Sequence, residues 1–309
     1  LILLPMTAGR SETLWGIDLG GTKAEGVILG PGGTSDIQFC DRVPIGAENG
    51  YHHVLSKLEE LVAQMERAAG YRPAHLGIGT PGTLDPESKT MHGCNSECLN
   101  GQPLQQDLCK RLRMDVVIAN DANCFALAEA RLGIVQRDFP QAKVVFGVIM
   151  GTGVGGGLIV NGQAINGHHG IGGEWGHNFL DESGGPCYCG KSGCVEKIIA
   201  GPSLEKYYYS LTQEKIRMHE IRERSLKGEE AAVKTMERLV LFFGKAISVV
   251  INIVDPDVIV IGGGVSRIPE IYTAGKEAIR PYIFNNGHVT TPIVPPLLGD
   301  SAGVFGAAY

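Results

Sequence analysis

A chain of 309 residues, 43% of them hydrophobic and with a mean hydropathy close to zero, can bury two cores and is neither disordered nor collagen-like. Its formal net charge of -6 leaves no basic footprint, which argues against nucleic acid or an acidic membrane surface as a partner and favours a small-molecule site. No run of 18 uninterrupted apolar residues occurs, and the opening Leu1-Ile2-Leu3-Leu4-Pro5 is too short for a secretory core, so a cytoplasmic chain is expected, with Met6 as an alternative start.

Leu14 to Asp18 reads as a buried strand ending in Gly20-Gly21, Ala24 to Leu29 as its returning partner, and Pro31-Gly32-Gly33 as the turn into a third strand through Ile37 and Phe39. Tyr51 to Ala69 carries Val54, Leu58, Leu61, Val62 and Met65 at helical spacing. A short strand His75 to Gly79 follows, then a polar loop to about Pro103, a helix Leu104 to Leu112, a strand Val116 to Ala119 and a helix Ala122 to Leu132. From Val144 the opening pattern recurs: strand Val144 to Met150, turn Gly151-Thr152-Gly153, strand Gly155 to Val160, hairpin turn Asn161-Gly162. This repetition points to two lobes with related sheets facing each other across a cleft. Beyond a Gly-, Cys- and His-rich loop come a helix Glu229 to Asn252, a strand Val258 to Ile261, Gly262-Gly263-Gly264, a helix near Pro269 to Arg280, and a small-residue helix, Gly299 to Tyr309, returning to the first lobe.

Three glycine turns follow strands where bare backbone can approach phosphate or adenosine: Gly20-Gly21-Thr22-Lys23, Gly151-Thr152-Gly153 and Gly262-Gly263-Gly264. Singly, each reads as an ordinary tight turn; two in matching repeats and a third behind a strand make nucleotide binding the better reading. None has Rossmann or Walker A spacing. Asp18, at its strand end, would face nucleotide-bound Mg²⁺ through water, and Thr22 adds a hydroxyl donor. Lys23 lies either at a phosphate or at the surface. Asp121, between a buried strand and a helix, is either an N-cap or a carboxylate aimed into the cleft.

His177, Cys187, Cys189 and Cys194 make the ligand set of a closed, structural Zn²⁺ site, with Gly190 and Gly193 turning the chain back. Closing it draws Glu174 and Glu196 together. The adjacent His168-His169 lack a spaced metal partner, the other five cysteines read as inert small hydrophobes, and Tyr207-Tyr208-Tyr209 as helix packing or dimer surface.

The segments Gly16-Ile17-Asp18-Leu19-Gly20-Gly21-Thr22-Lys23, Gly173-Glu174-Trp175-Gly176-His177 and Cys187-x-Cys189-Gly190-x-x-Gly193-Cys194-x-Glu196 resemble the signatures of the ROK family. The resemblance implies an α/β, actin-like ATPase (ribonuclease H-like) fold, with 1–121 plus about 297–309 as the small lobe and 122–296 as the large lobe carrying the zinc loop. It implies ATP and Mg²⁺ in the cleft and phosphorylation of a hexose hydroxyl, with Asp121 as general base. Asn95, Asn120, Glu174, His177 and Glu196 then join Asp121 around the sugar, His177 giving one ring nitrogen to zinc and the other to the sugar. A homodimer is expected. The family also includes repressors with an added helix-turn-helix domain, for which the 17 residues before Asp18 are too few.

The stretches Asn95 to Pro103, Glu174 to Asn178 and Pro186 to Lys191 look most like bacterial fructokinases (mannofructokinases), whereas Asn120 to Leu127 and Gly151 to Ile159 look equally like N-acetylglucosamine kinases. Fructose is therefore the expected acceptor, with N-acetylglucosamine, glucose or mannose as alternatives and polyphosphate as an alternative donor.

Overall fold

A computed structural model describes residues 13–309; the opening Leu1 to Pro5 segment and Met6 lie outside the described residues. The described chain divides into two compact units. Unit 1 runs up to Ala128 and includes His168–Gly170 and Ser301–Tyr309; unit 2 comprises Glu129–Gly167 and Ile171–Asp300.

Unit 1 is built on strands β1 (Leu14–Leu19), β2 (Lys23–Leu29) and β3 (Ile37–Pro44), helix α1 (Tyr51–Ala69), strand β4 (His75–Thr80), a small hairpin of β5 (Thr83–Leu84) and β6 (Met91–His92), helix α2 (Leu104–Leu112), strand β7 (Asp115–Asn120) and the start of helix α3 (Asp121–Arg131). Its sheet has the order β3-β2-β1-β4-β7, antiparallel through β3, β2 and β1 and parallel from β1 to β7. Both faces are covered, and glycines set how closely. Gly26 on β2 leaves room for α1, because a Cβ there would stand 2.9 Å from Met65 Sδ. Gly16 is on the other face, since it pairs with Val27, and a Cβ there would come 2.7 Å from the Cβ of Ala308 in the C-terminal helix, Ala302–Ala308. That helix also passes so close to α3 that a Cβ on Gly306 would collide with the Cys124 carbonyl. The first turns of α3 therefore stay with unit 1, and the division falls after Ala128 rather than at the expected residue 121.

Unit 2 continues with α4 (Ile134–Asp138), the hairpin β8 (Val144–Met150) and β9 (Val154–Val160), β10 (Gln163–Ala164), α5 (Glu196–Ile199), α6 (Gly201–Thr212), α7 (Met218–Leu226), α8 (Glu230–Val254), β11 (Val258–Gly262), α9 (Ala274–Glu277) and β12 (Ile293–Val294). Its order, β10-β9-β8-β11-β12, repeats the plan of unit 1: a hairpin whose first strand continues into parallel partners. Asn161 and Gly162, with φ of 49° and 74°, make the hairpin turn expected from their sequence. The amphipathic α8 buries Leu239, Phe243, Ile247 and Ile251 in the same core as Ile259 and Ile261 of β11.

Three local expectations are corrected. The single helix near Pro269 to Arg280 is broken into Pro269–Ile271, α9 and Arg280–Tyr282: Thr273, with φ of -110° and ψ of -89°, leaves helical geometry before α9, and Pro281 offers no N–H to continue the turn after it. The polar loop after Gly79 contains the β5–β6 hairpin, pinned by buried Met91. Gly299 to Ser301 is a 3₁₀ turn, so the C-terminal helix begins only at Ala302. Of the three consecutive tyrosines, Tyr208 is fully buried and donates to Glu229 at 2.6 Å, as helix packing. Among the described residues no helix is long and apolar enough to cross a membrane.

Candidate active site and metal centre

In unit 1, β1 and β2 are joined by a turn closed by the Gly20 N–H donating to the Lys23 carbonyl at 2.9 Å, leaving Gly21, Thr22 and Lys23 exposed. A Cβ on Gly21 would lie 3.4 Å from Ser96 Oγ, so the turn abuts the loop that carries Asn95, itself exposed. Just before the turn, Asp18 pairs with Gly79 of β4, and its carboxylate sits between two glycines: a Cβ on Gly79 would be 3.5 Å from Oδ1, and one on Gly303 would be 3.2 Å from Oδ2. Burial pushes the Asp18 carboxyl up to about 6, and the Glu25 carboxylate adds to the rise while Lys23 and Arg42 oppose it. Glu25 is itself buried and held by Arg42 at 2.8 Å and Ser301 Oγ at 2.9 Å. It was not singled out from the sequence, although a lone acid in an apolar strand, opposite Asp18 in register, is the signal that points to it.

This burial predicts a pH-dependent cost in stability. A carboxyl raised in the folded chain destabilises it wherever the group is ionised in both states, by about 3 kcal/mol for a shift of about two pH units. The penalty is complete above the folded value of about 6 and disappears as the pH falls towards the unfolded value of 3.8. Asp18→Asn is therefore expected to unfold at a higher temperature than wild type at pH 8, with the gap closing by pH 4. Identical thermal midpoints at both pH values would show that the carboxylate is not strained by burial.

At the end of β7, Asn120 caps α3. Its Oδ1 accepts from the N–H groups of Ala122 at 2.9 Å and Asn123 at 3.3 Å, and its Nδ2 donates to the Gly82 carbonyl at 3.1 Å. The capping role open to Asp121 on local sequence is thus taken by its neighbour. Asp121 occupies the first helical position, half-buried, with Oδ1 accepting from the Ala122 N–H at 2.7 Å. Asn120, expected at the sugar, keeps one Nδ2 hydrogen beyond its bond to Gly82.

In unit 2, two of the glycine turns meet at the ends of the parallel strands β8 and β11. A Cβ on Gly151 would lie 3.7 Å from Gly264 N. Gly263, with φ of 81°, passes so close to Met150 that only glycine fits; Gly264 has open space beside it, and Gly262 remains inside β11. The result is a patch of bare backbone at the carboxyl ends of two neighbouring strands, where α/β sheets bind ligands.

The metal-ligand cluster forms as the spacing predicts. His177, Cys187, Cys189 and Cys194 offer ligand atoms all within 4.8 Å of one another. Cys189 Sγ to Cys194 Sγ and His177 Nδ1 to Cys187 Sγ both measure 3.6 Å. A zinc tetrahedron with Zn–S bonds of about 2.3 Å has edges of about 3.8 Å, so the donor set fits zinc in chemistry and in size. The loop is shaped for this: the Cys187 N–H donates to the Lys191 carbonyl at 2.8 Å, and Gly193, with φ of 75°, leaves no room for a Cβ between Phe179 and the Asp181 carbonyl. Burial and hydrogen bonds from the neighbouring thiols push Cys194 up to about 12, whereas at Cys189 the Lys191 N–H and the neighbouring thiols outweigh burial and pull the thiol down. Among the described residues no other group of three or more His, Cys, Asp or Glu side chains is arranged to hold a metal, and His168 and His169 merely meet edge to face.

The metal-ligand loop is tied to the Gly151-Thr152-Gly153 turn. Glu196, 8% exposed, accepts from the Val154 N–H at 3.2 Å, and a Cβ on Gly153 would lie 2.7 Å from its Oε2. Trp175 Nε1 donates to the Gly155 carbonyl at 3.3 Å, and Gly156 and Gly176 allow the segment bearing Glu174 and His177 to lie flat on β9. Glu174 is half-buried. Burial, then Glu196, the cluster thiols and Glu174, push up the phenol of Tyr188, so this side chain lies in the field of both carboxylates. Tyr188 Oη also stands 3.0 Å from His177 Nε2, the nitrogen expected to face the sugar. Tyr188 was not anticipated, because the residue between two metal-binding cysteines carries no pattern of its own.

The chain matches the ROK family over residues 14–309. It is 36% identical over 305 residues to the N-acetyl-D-glucosamine kinase of Escherichia coli O1:K1, covering 96% of this chain and 98% of that one. Its fold matches the ROK hexokinase of Thermus thermophilus with a TM-score of 0.84 and 32% identity, over 96% and 97% of the two chains. The ROK family glucokinase of Streptomyces griseus, solved with glucose and AMPPNP, matches with a TM-score of 0.78 and 26% identity, over 96% and 98%. The chain belongs to the ROK family. Its two mixed five-stranded sheets are the actin-like ATPase fold of those kinases.

Proposed function

We propose N-acetylglucosamine as the acceptor and ATP as the phosphoryl donor of this ROK sugar kinase. The observation that carries the acceptor is the 36% identity, running through nearly the full length of both chains, to an N-acetyl-D-glucosamine kinase. It replaces fructose, which short stretches around Asn95 and the zinc loop had favoured. The donor is supported by the AMPPNP bound to the Streptomyces griseus relative and by the bare backbone of Gly20-Gly21-Thr22, Gly151-Thr152-Gly153 and Gly263-Gly264.

In this reading the Asp121 carboxylate takes the proton of the attacking sugar hydroxyl, whose oxygen bonds to the γ-phosphorus as ADP leaves. Asn120 fixes Asp121 at the helix start and offers its remaining amide hydrogen to the sugar. Glu174 and Glu196 accept from sugar hydroxyls, and Asn95 contributes from its exposed loop. An inverted or missing hydroxyl then leaves an acceptor unpaired, which is how such a site discriminates. Asp18, seated beside the glycine turn, is the residue that would hold Mg²⁺ through water, and the ion supplies charge neutralisation on the phosphates. The zinc ligands His177, Cys187, Cys189 and Cys194 fix the loop that positions Glu174 and Glu196. The test is ADP release with ATP and each of N-acetylglucosamine, glucose, mannose and fructose, with N-acetylglucosamine expected to give the highest kcat/KM.

A further inference from the structure

The loop between β6 and α2 carries Asn95 and is closed twice. At its neck the backbone closes it: the Gly101 N–H donates to the Met91 carbonyl at 2.7 Å, and the Met91 N–H to the Gln102 carbonyl at 3.0 Å. One step further in, a side chain takes over. Asn100 Oδ1 accepts from the Cys94 N–H at 2.9 Å, and Asn100 Nδ2 donates to the Cys94 carbonyl at 3.1 Å. Both backbone groups of Cys94 are thus paired with one amide, as a partner strand would pair them. Among short side chains at neutral pH, Asn alone sets an acceptor and a donor side by side. The clasped segment borders the reacting groups of unit 1. Leu99, 1% exposed, roots its 3₁₀ turn, Glu97–Leu99, in the core, and buried Cys94 stands against Gly82, where a Cβ would lie 2.8 Å from the Cys94 nitrogen and sulfur. The Gly82 carbonyl in turn takes the amide of Asn120, next to Asp121.

We propose that Asn100 is a positioning residue for the acceptor: by clasping Cys94 it fixes the peptide plane from which Asn95 departs and so aims the Asn95 side chain at the sugar. The role rests on the reading of Asn95 as a sugar contact and deepens it. The Cys94 carbonyl and the Asn95 nitrogen belong to one rigid peptide unit, so the bond from Asn100 Nδ2 holds the orientation in which Asn95 begins. Without the clasp, Asn95 spreads over several backbone and rotamer states of which one binds, and sugar affinity falls in proportion to the lost population.

The experiment measures steady-state ADP release by the full chain at saturating ATP, varying whichever of N-acetylglucosamine, glucose, mannose and fructose gives the highest kcat/KM. Asn100→Asp keeps the shape and still accepts from the Cys94 N–H, but sets an anion against the Cys94 carbonyl. Its sugar KM is expected to rise about tenfold with kcat within about threefold of wild type, and Asn100→Ala to show a rise at least as large. A role in folding alone would lower the thermal midpoint and the active fraction, hence kcat, and leave KM unmoved. Because Asn100 acts through Asn95, adding Asn100→Asp to Asn95→Ala is expected to change KM by less than about twofold. An Asn100→Asp KM within about twofold of wild type, or full additivity with Asn95→Ala, would overturn the proposal. Asn95→Ala with a wild-type KM would overturn the sugar contact of Asn95 and this role with it, whereas a raised KM for Asn95→Ala beside an unmoved one for Asn100→Asp would overturn this role alone. No turnover with any of the four sugars would remove the kinase and this role together.

Discussion

Asp121→Asn is expected to lower kcat by on the order of 10² to 10⁴ while sugar affinity changes little. The amide keeps the shape of the carboxylate and can still accept from the Ala122 N–H, which lies 2.7 Å from Oδ1, so the start of α3 remains intact. What the amide cannot do is take the proton of the attacking hydroxyl. Asn120, which already caps the helix, isolates the chemical effect from a folding effect. The measurement is steady-state turnover beside sugar binding by calorimetry. Turnover within a few-fold of wild type would assign the base to another group, and loss of sugar binding in step with turnover would make Asp121 a binding residue first.

The second large effect is expected at the metal. Wild type should hold about one zinc per chain, and Cys189→Ser should retain little after dialysis against a chelator. Four ligands give a structural zinc an apparent binding free energy on the order of 10 kcal/mol, and much of it is lost when a thiolate is replaced by a hydroxyl. Because Glu196 hangs from the far end of this loop and accepts from the Val154 N–H, sugar KM should rise with metal loss. Unit 1 has its own core of β1, β4 and α1 residues and should keep its secondary structure. Equal zinc in wild type and variant, or none in wild type, would contradict the assignment. Uptake should also weaken as the pH falls, since the thiols, Cys194 most of all, must lose their protons to the metal.

The parts of this molecule that were legible in the sequence are those decided locally. The hairpins β1–β2 and β8–β9 are apolar runs joined by glycine turns, and their repetition foretold the repeated sheet plan. The metal cluster was legible because three of its four ligands lie within eight residues, with Gly190 and Gly193 at positions of positive φ. What escaped was decided by contacts distant in sequence. The buried Glu25 depends on Arg42 and Ser301. The approach of Tyr188 to His177 depends on a loop folding back through eleven positions. The preference for fructose came from short stretches judged one at a time, and a sugar pocket is assembled from many segments, so likeness over nearly the whole chain is the better guide to its shape.

The most direct measurement is kcat/KM for N-acetylglucosamine and for fructose, glucose and mannose at fixed ATP and Mg²⁺, read as ADP release. N-acetylglucosamine is expected to lead by at least about tenfold, a difference of about 1.4 kcal/mol in transition-state binding, which one well-filled niche for the acetyl group can supply. Glucose, mannose or fructose ahead of it would contradict the acceptor while leaving the kinase in place, and no sugar-dependent ADP release with any of the four would contradict the kinase itself.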